Sequence, residues 1–172
     1  MQKLFDLNIN NIDPSLWTCV IPAAGKGTRL GYNLPKILYP ILGKSILQYL
    51  LHLFLNYCNH FVVVTSPNGE AEIRKEFERI CHKCDYDIAI QDEPKGMAHA
   101  IWQARRIVKT PFTAVVWGDQ ICLRKETITK TLAYHQSDLA NVLTFPTVFK
   151  KEPYIHFKRD KYGKILKVLQ KR

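Results

Sequence analysis

The chain has 172 residues, of which 47% are hydrophobic, and its formal net charge at pH 7 is +10. This length suits one domain with a sizeable core, and the composition excludes an intrinsically disordered chain. No apolar run approaches the roughly 18–20 residues that span a bilayer, and the start of the chain lacks the apolar core of a secretion signal, so we expect a cytoplasmic protein.

The apolar pattern predicts strands that alternate with helices. In chain order we expect a strand at Trp17–Ile21, a helix over 46–58 capped by Ser45, a strand at His60–Thr65, a helix over 70–83, a strand at Tyr86–Ile90, a helix at Gly96–Val108, a strand at Phe112–Trp117, a helix at Glu126–His135, an extended segment at Leu139–Thr147, and two strands around a turn at Asp160–Gly163. This alternation predicts an α/β doubly wound, mostly parallel, Rossmann-like sheet with a C-terminal β-hairpin. Since no linker or repeat interrupts it, we predict a single domain over residues 1–172.

The five cysteines are scattered along the chain. An odd number in a cytoplasmic protein favours reduced thiols over a disulfide framework. Cys81 and Cys84 form a C-x-x-C pair, but the second ligand pair that a structural zinc site needs is missing. We interpret this pair as the polar end of a helix.

The loop after the first strand, residues 23–36, is rich in glycine and basic residues. It matches neither the P-loop nor the G-x-G-x-x-G pattern, because Leu30 stands where each requires a glycine. Gly25 and Gly27 still allow phosphate oxygens to approach the backbone closely. Open α/β sheets bind their ligands at the carboxyl ends of strands, where this loop begins. Three charged donors belong to the same loop: Lys26, Arg29 and Lys36.

Three segments resemble, in the same order, the signature of the sugar-1-phosphate nucleotidyltransferases, the enzymes that make sugar nucleotides. Residues 23–29 with Lys36 are similar to A-A-G-x-G-T-R followed by P-K. Gln91–Ala100 is similar to the base-reading segment Q-x-x-P-x-G-T-A-x-A, and Gly118–Asp119 to a G-D metal site. The resemblance covers roughly residues 17 to 170 and is nearest to the bacterial N-acetylglucosamine-1-phosphate uridylyltransferase branch.

The resemblance implies that a sugar 1-phosphate attacks the α-phosphorus of a nucleoside triphosphate and that pyrophosphate leaves. Arg29 and Lys36 would be the catalytic cations, and Asp119 would hold Mg²⁺. UTP is the favoured nucleotide, with Gln91 reading the base, whereas His99 is interpreted as a packing residue. The nucleotide-binding residues would be Ala23, Ala24, Gly25, Lys26, Gly27, Thr28, Gln91, Gly96, Met97 and Gly118.

The C-terminal part departs from the family pattern. Gln170 stands where relatives carry a Glu that contacts the sugar, and residues 153–159 replace a glycine-rich turn, so the acceptor sugar stays open. The chain stops at Arg172, where the family's fold would continue with further strands. We therefore expect the amino-terminal portion of a longer enzyme, incomplete at its C-terminus and inactive by itself. An unpaired edge at the hairpin would favour homo-oligomers.

Two other functions stay open from the sequence. The first is a catalytically incomplete nucleotide-binding or assembly module. The second is a nucleic-acid binder that uses residues 150–172, which hold nine Lys or Arg and two acids. Because this tail lacks the aromatic ladder of single-strand binders, we prefer the nucleotidyltransferase, with a nucleoside triphosphate and a sugar 1-phosphate as partners and with no membrane.

Overall fold

The structure of the protein, a computed structural model, describes residues 12–25, 31, 34–82, 84–138, 140 and 142–170. Its elements are β1 (Trp17–Pro22), β2 (Pro40–Ile41), β3 (Lys44–Ser45), α1 (Ile46–Phe54), β4 (His60–Thr65), α2 (Glu70–Ile80), β5 (Asp85–Ile90), α3 (Met97–Gln103), β6 (Phe112–Val115), α4 (Lys125–Gln136), β7 (Ile155–Arg159) and β8 (Ile165–Gln170). Within this described part, no helix has the length and apolarity that crossing a membrane requires.

Four strands form a parallel sheet in the order β5-β4-β1-β6. The two inner strands, β1 and β4, are buried almost throughout, as expected for continuous apolar runs in a parallel sheet. From β1 the chain moves to β4 and β5 on one side and then returns to β6 on the other. The carboxyl ends of β1 and β6 therefore form a topological switch point, the place where open α/β sheets bind ligands.

Helices cover both faces of this sheet. Because side chains alternate along a strand, Cys19 and Ile21 of β1 face one core, which also contains buried residues of α1, α2 and α4. Val20 faces a second, smaller core, in which Ala100 and Ala104 bring α3 and the turn after it close to the sheet. The three layers confirm the predicted α/β doubly wound fold.

The helix boundaries differ from the sequence prediction mainly at the C-terminal ends. α1 begins as predicted because Ser45 Oγ accepts a hydrogen bond from the backbone N–H of Gln48 at 3.1 Å, but it ends at Phe54. α3 is shorter than predicted and continues as a 3₁₀ turn at Ala104–Arg106.

The prediction of reduced thiols is wrong for one pair, because Cys81 and Cys84 are joined by a disulfide. α2 ends at Ile80, and Cys81 leaves the helical region with φ −153°. This change of direction leaves the two Cα atoms 5.5 Å apart, which is within the usual range for a disulfide. The other three cysteines are free.

The predicted C-terminal hairpin is present as the antiparallel pair β7–β8. Its turn is stabilised by Asp160 Oδ1, which accepts from the backbone N–H groups of Tyr162 and Lys164 at 2.9 Å each. Gly163, with φ +86°, supplies the left-handed conformation that the turn requires.

Two local features differ from the prediction. The predicted extended segment before the hairpin forms no strand over its described positions, and Leu139 and Asn141 lie outside the described residues. A small hairpin between β1 and α1, formed by β2 and β3, was not predicted from the sequence. Its turn residues Leu42 and Gly43 have φ angles of 48° and 78°, and an exposed leucine with positive φ gives no recognisable turn signal.

Candidate active site

A cleft of about 360 Å³ opens at the switch point, beside the carboxyl ends of β1 and β6. Its lining comes from the loops that follow these two strands and from the start of α3. Six of the lining residues are among those that the sequence predicted for the site. The lining consists of Pro22, Ala23, Gly25, Lys36, Ile37, Met97, Trp117, Gly118 and Asp119.

Lys36 and Asp119 meet in this cleft although 83 positions separate them in sequence. Lys36 Nζ donates to Asp119 Oδ2 at 2.7 Å, and the side chains are 40% and 55% exposed, respectively. The sequence predicted a role for each residue but not their contact. An ion pair with this exposure contributes only about 0–1 kcal/mol, so a ligand can separate the two groups at small cost.

Buried neighbours fix the backbone of Lys36 at the rim of the cleft. Pro35 precedes a 3₁₀ turn at Lys36–Leu38, and Ile37 and Leu38 are 1% and 8% exposed. Behind this turn, Gly69 packs against Pro35 so closely that a Cβ on Gly69 would lie 2.8 Å from Pro35 Cγ. The position of Lys36 therefore depends on the hydrophobic core and on a glycine far away in sequence.

Asp119 is held by a tight turn directly after β6. The N–H of Val116 donates to Val20 O at 3.1 Å, which extends the pairing with β1 by one residue. The turn closes through the N–H of Gln120, which donates to Trp117 O at 3.0 Å. A Cβ on Gly118 would lie 3.2 Å from Pro22 O, tighter than ordinary packing. Glycine at this position thus lets the loops after β1 and β6 approach each other.

The glycine-rich loop is described only at its beginning. The N–H of Ala23 donates to Val64 O at 2.7 Å, which anchors the loop to β4. Ala24 is half-buried and does not line the cleft, whereas Gly25 is exposed and does. The predicted site residues Lys26, Gly27, Thr28 and Arg29 lie outside the described residues, so their contacts stay predictions.

Of the predicted base-reading segment, Met97 lines the cleft, whereas Gln91 and Gly96 lie next to it. Gln91 follows β5 and is only 5% exposed. Its Nε2 donates to Gly96 O at 3.1 Å and lies 2.9 Å from His99 Nδ1. Gly96 precedes Met97, which does line the cleft.

His99, interpreted from the sequence as a packing residue, is half-buried and also forms polar contacts, because both of its ring nitrogens lie next to side-chain amides. Nδ1 contacts Gln91, and Nε2 lies 2.9 Å from the amide of Gln103. The i, i+4 spacing of His99 and Gln103 on α3 was a signal for the second contact. The first contact depends on how the loop before α3 folds back, which the sequence does not show.

The site offers one carboxylate for a metal ion. Among the described residues, Asp119 is the one carboxylate that lines the cleft, and no group of three or more His, Cys, Asp or Glu side chains could hold a metal by itself. Mg²⁺ is commonly bound by one or two carboxylates together with substrate phosphates and water. The donor set therefore fits Mg²⁺ that arrives with a phosphate ligand.

A parallel sheet that brings a glycine-containing loop, a lysine and a carboxylate together at its switch point defines an α/β domain of the doubly wound type, which binds its ligand at that place. Residues 19–172 match the family model of the MobA-like NTP transferase domain. The chain belongs to this family, and the resemblance stated from its motifs is confirmed.

Curated relatives support the same assignment. The chain is 34% identical over 156 residues to the bifunctional protein GlmU of Thermodesulfovibrio yellowstonii, which covers 88% of this chain and 33% of that protein. It is 30% identical over 153 residues to the bifunctional protein GlmU of Granulibacter bethesdensis, with 89% and 31% covered. The chain thus spans about a third of the length of these relatives.

Solved structures share the fold. UDP-glucose pyrophosphorylase complexed with UDP-glucose superimposes with a TM-score of 0.61 at 23% identity, covering 71% of this chain and 54% of that one. CMP:2-keto-3-deoxy-manno-octonic acid synthetase complexed with CTP gives a TM-score of 0.59 at 19% identity, with 73% and 49% covered. At these identities the likeness shows the fold alone, and it confirms the Rossmann-like sheet predicted from the sequence.

Proposed function

We propose that the chain is the nucleotide-binding part of a nucleotidyltransferase that joins a nucleoside triphosphate, preferably UTP, to a sugar 1-phosphate and releases pyrophosphate. The observation that carries this proposal is the meeting of Lys36 and Asp119 at 2.7 Å in the cleft. A cation for the phosphates and a carboxylate for a metal ion lie at one place. Transfer of a nucleotidyl group between phosphates depends on such positioned charges.

The chemistry needs alignment more than it needs a strong base. The attacking oxygen of a sugar 1-phosphate is already anionic at neutral pH, so no proton has to be removed from it. The site must hold two anions in line and compensate the negative charge that develops. Lys36 would leave Asp119 for the phosphates, and Gly25 would allow their approach, since no described atom lies within 4 Å of where its Cβ would be.

Asp119 would hold Mg²⁺ through a carboxylate oxygen, with phosphate oxygens and water as the remaining ligands. When bound, the metal polarises the phosphoryl oxygens. Arg29 and the backbone of residues 26–28 keep the roles predicted from the family signature. Arg29 would hold the pyrophosphate end, and the backbone N–H groups would surround the triphosphate.

The structural neighbours support the ligand class. One is complexed with UDP-glucose and another with CTP. A sugar nucleotide is the kind of product, and a nucleoside triphosphate the kind of substrate, that the proposed reaction requires.

Two measurements test the proposal. Calorimetric titration with UTP, CTP, GTP and ATP, with and without Mg²⁺, should show binding of UTP that depends on the metal. Pyrophosphate release should then be measured on the full-length protein with UTP and a panel of sugar 1-phosphates, and at least one should be turned over. Binding without turnover of any sugar would favour the nucleotide-binding module, and no binding of any nucleotide would refute the proposal.

A matched pair of lysine variants connects the activity to the cleft. Lys36→Ala should lower kcat/KM by about 100- to 1000-fold, because it removes a cation directed at charge that grows in the transition state. Arg29→Ala should have an effect of the same order. Lys44→Ala is the control, since Lys44 is exposed on β3 and does not line the cleft. Equal activity of Lys36→Ala and the control would contradict the assignment.

A further inference from the structure

A connected set of hydrogen bonds lies beside the cleft. Gln91 Nε2 donates to Gly96 O at 3.1 Å and lies 2.9 Å from His99 Nδ1. His99 Nε2 in turn lies 2.9 Å from the side-chain amide of Gln103. Met97, next to Gly96, lines the cleft, so this set of bonds borders the candidate site.

The direction of each bond follows from the number of available protons. A carbonyl only accepts, so the single bond to Gly96 O favours the orientation of the Gln91 amide that has the nitrogen on its side. That nitrogen has two hydrogens and donates one to Gly96 O and the other to His99 Nδ1. A neutral imidazole carries one N–H, which must then be on Nε2. The amide of Gln103 receives it through its oxygen once the amide is turned by half a turn, which gives up the longer contact, 3.4 Å, of its nitrogen with His99 O.

Only one polar atom of the Gln91 side chain is then left for a ligand, the carbonyl oxygen Oε1. We infer that His99 is a positioning residue that fixes the Gln91 amide in this orientation and thereby selects the base; the inference rests on the proposed function, which makes the ligand a nucleotide. A lone acceptor pairs with a base that presents a ring N–H. Uracil has one at N3, whereas cytosine has an unprotonated acceptor at the same ring position.

The contact with His99 is the part of this arrangement that a point mutation can remove. In His99→Ala the Gln91 amide keeps the contact with Gly96 O at most, and one of its hydrogens becomes free. An amide that can turn offers either its oxygen or its nitrogen and therefore serves uracil and cytosine alike. The discrimination between UTP and CTP depends on His99 although His99 itself need not contact the base.

The proton position on His99 can be measured directly. Long-range ¹H–¹⁵N correlation spectra of protein labelled at histidine distinguish the Nδ1–H, Nε2–H and doubly protonated forms. We expect the Nε2–H form at neutral pH. An Nδ1–H or doubly protonated ring would overturn the inference, because Nδ1 could then not accept from Gln91. This measurement requires no activity.

The ratio of kcat/KM for UTP to that for CTP tests the selection. It should fall at least tenfold in His99→Ala and stay within threefold of wild type in His99→Asn, whose Oδ1 can accept in place of Nδ1. His52→Ala is the control, because His52 also has a bonded ring nitrogen, 2.9 Å from Gln48 O, but is exposed on α1. An unchanged ratio in His99→Ala, or equal losses with both nucleotides, would reduce His99 to a structural residue.

The outcomes separate this inference from the proposed function. If the full-length wild type turns over no sugar 1-phosphate, the transferase proposal fails, and the same ratio is taken from the dissociation constants of UTP and CTP. A binding preference for UTP that His99→Ala abolishes would then still support the inference. A wild-type preference for CTP would overturn it.

Discussion

Gly69 offers a test of how the core positions Lys36. The Gly69 backbone has φ −100° and ψ −9°, which alanine adopts without strain, so Gly69→Ala acts through sterics. The new Cβ would lie 2.5 Å from Thr65 Oγ1 and 2.8 Å from Pro35 Cγ. Ordinary contacts begin at 3.4 Å, so Pro35 or Gly69 must shift, by about half an ångström if an ordinary contact is to be restored.

Two effects of opposite sign determine the stability of Gly69→Ala. Crowding in a packed interior destabilises the folded state by about 1–3 kcal/mol. Alanine also lowers the conformational entropy of the unfolded chain, which stabilises the folded state by about 0.4–1 kcal/mol. We expect a net loss of about 1–2 kcal/mol, which lowers the Tm of a chain of this size by roughly 3–6 °C. Since Pro35 precedes Lys36, kcat should also fall, by up to about 100-fold if Lys36 Nζ moves by about 1 Å.

Thermal unfolding and kinetics of three variants measure these effects. Thr65 Oγ1 forms no hydrogen bond with any described residue, so Thr65→Ala removes the nearer of the two crowding atoms without breaking a bond. The double variant should therefore be more stable than the sum of the single changes predicts, by about 1 kcal/mol. Pro35 remains crowded in it, so kcat should stay low. Wild-type stability and kcat in Gly69→Ala would refute this account of how Lys36 is held.

Three further predictions concern the metal ligand, the thiols and the response to pH. Asp119→Asn should lower activity and be partly rescued by a higher Mg²⁺ concentration, because an amide is a poorer Mg²⁺ ligand than a carboxylate; an unchanged metal dependence would leave Asp119 as a turn residue. A thiol reagent should titrate one thiol in the native protein, that of the exposed Cys122, because the other two free thiols are buried. It should titrate three thiols after unfolding and five after unfolding and reduction. Five thiols in the unfolded protein without reductant would exclude the disulfide. The hydrogen bond from Arg79 lowers the pKa of Glu76 below its ordinary value, so this pair stabilises the fold above the pKa of unfolded Glu76 and the contribution is lost as the pH falls through the lowered pKa. Arg79→Met should therefore lower the free energy of unfolding at pH 7 and leave it unchanged near pH 2. Equal losses at both pH values in urea titrations would show that packing, not charge, is responsible.

The sequence predicted the fold well where local pattern and burial agree. The strand at His60–Thr65 has the predicted bounds, because a continuous β-branched run between breaking residues has few other stable conformations. The cap at Ser45 was equally predictable, because a serine before an apolar helix satisfies a free N–H group. The end of α3 was not predictable from the sequence, because the end of a weak helix is determined by tertiary contacts more than by helix propensity.

The site was predictable as a set of residues and not as an arrangement. Lys36 and Asp119 each follow a strand, but neither segment shows that β1 and β6 are neighbours or that the two side chains meet. The contact of His99 with Gln91 was missed for the same reason, because Gln91 belongs to a different element. Contacts between elements depend on strand order and loop paths, and these emerge only when the whole sheet is assembled.

The position of β1 in the sheet has a consequence for synthesis of the protein. β1 is paired on both sides with strands that come later in the chain, β4 and β6. At about 5–20 residues per second, the ribosome needs on the order of 5–20 s to proceed from Trp17 to Val115. During that time one edge of an apolar strand has no partner, and such non-local parallel pairing is slow and exposed to aggregation. The nascent chain should therefore depend on chaperones that bind apolar segments until β6 emerges.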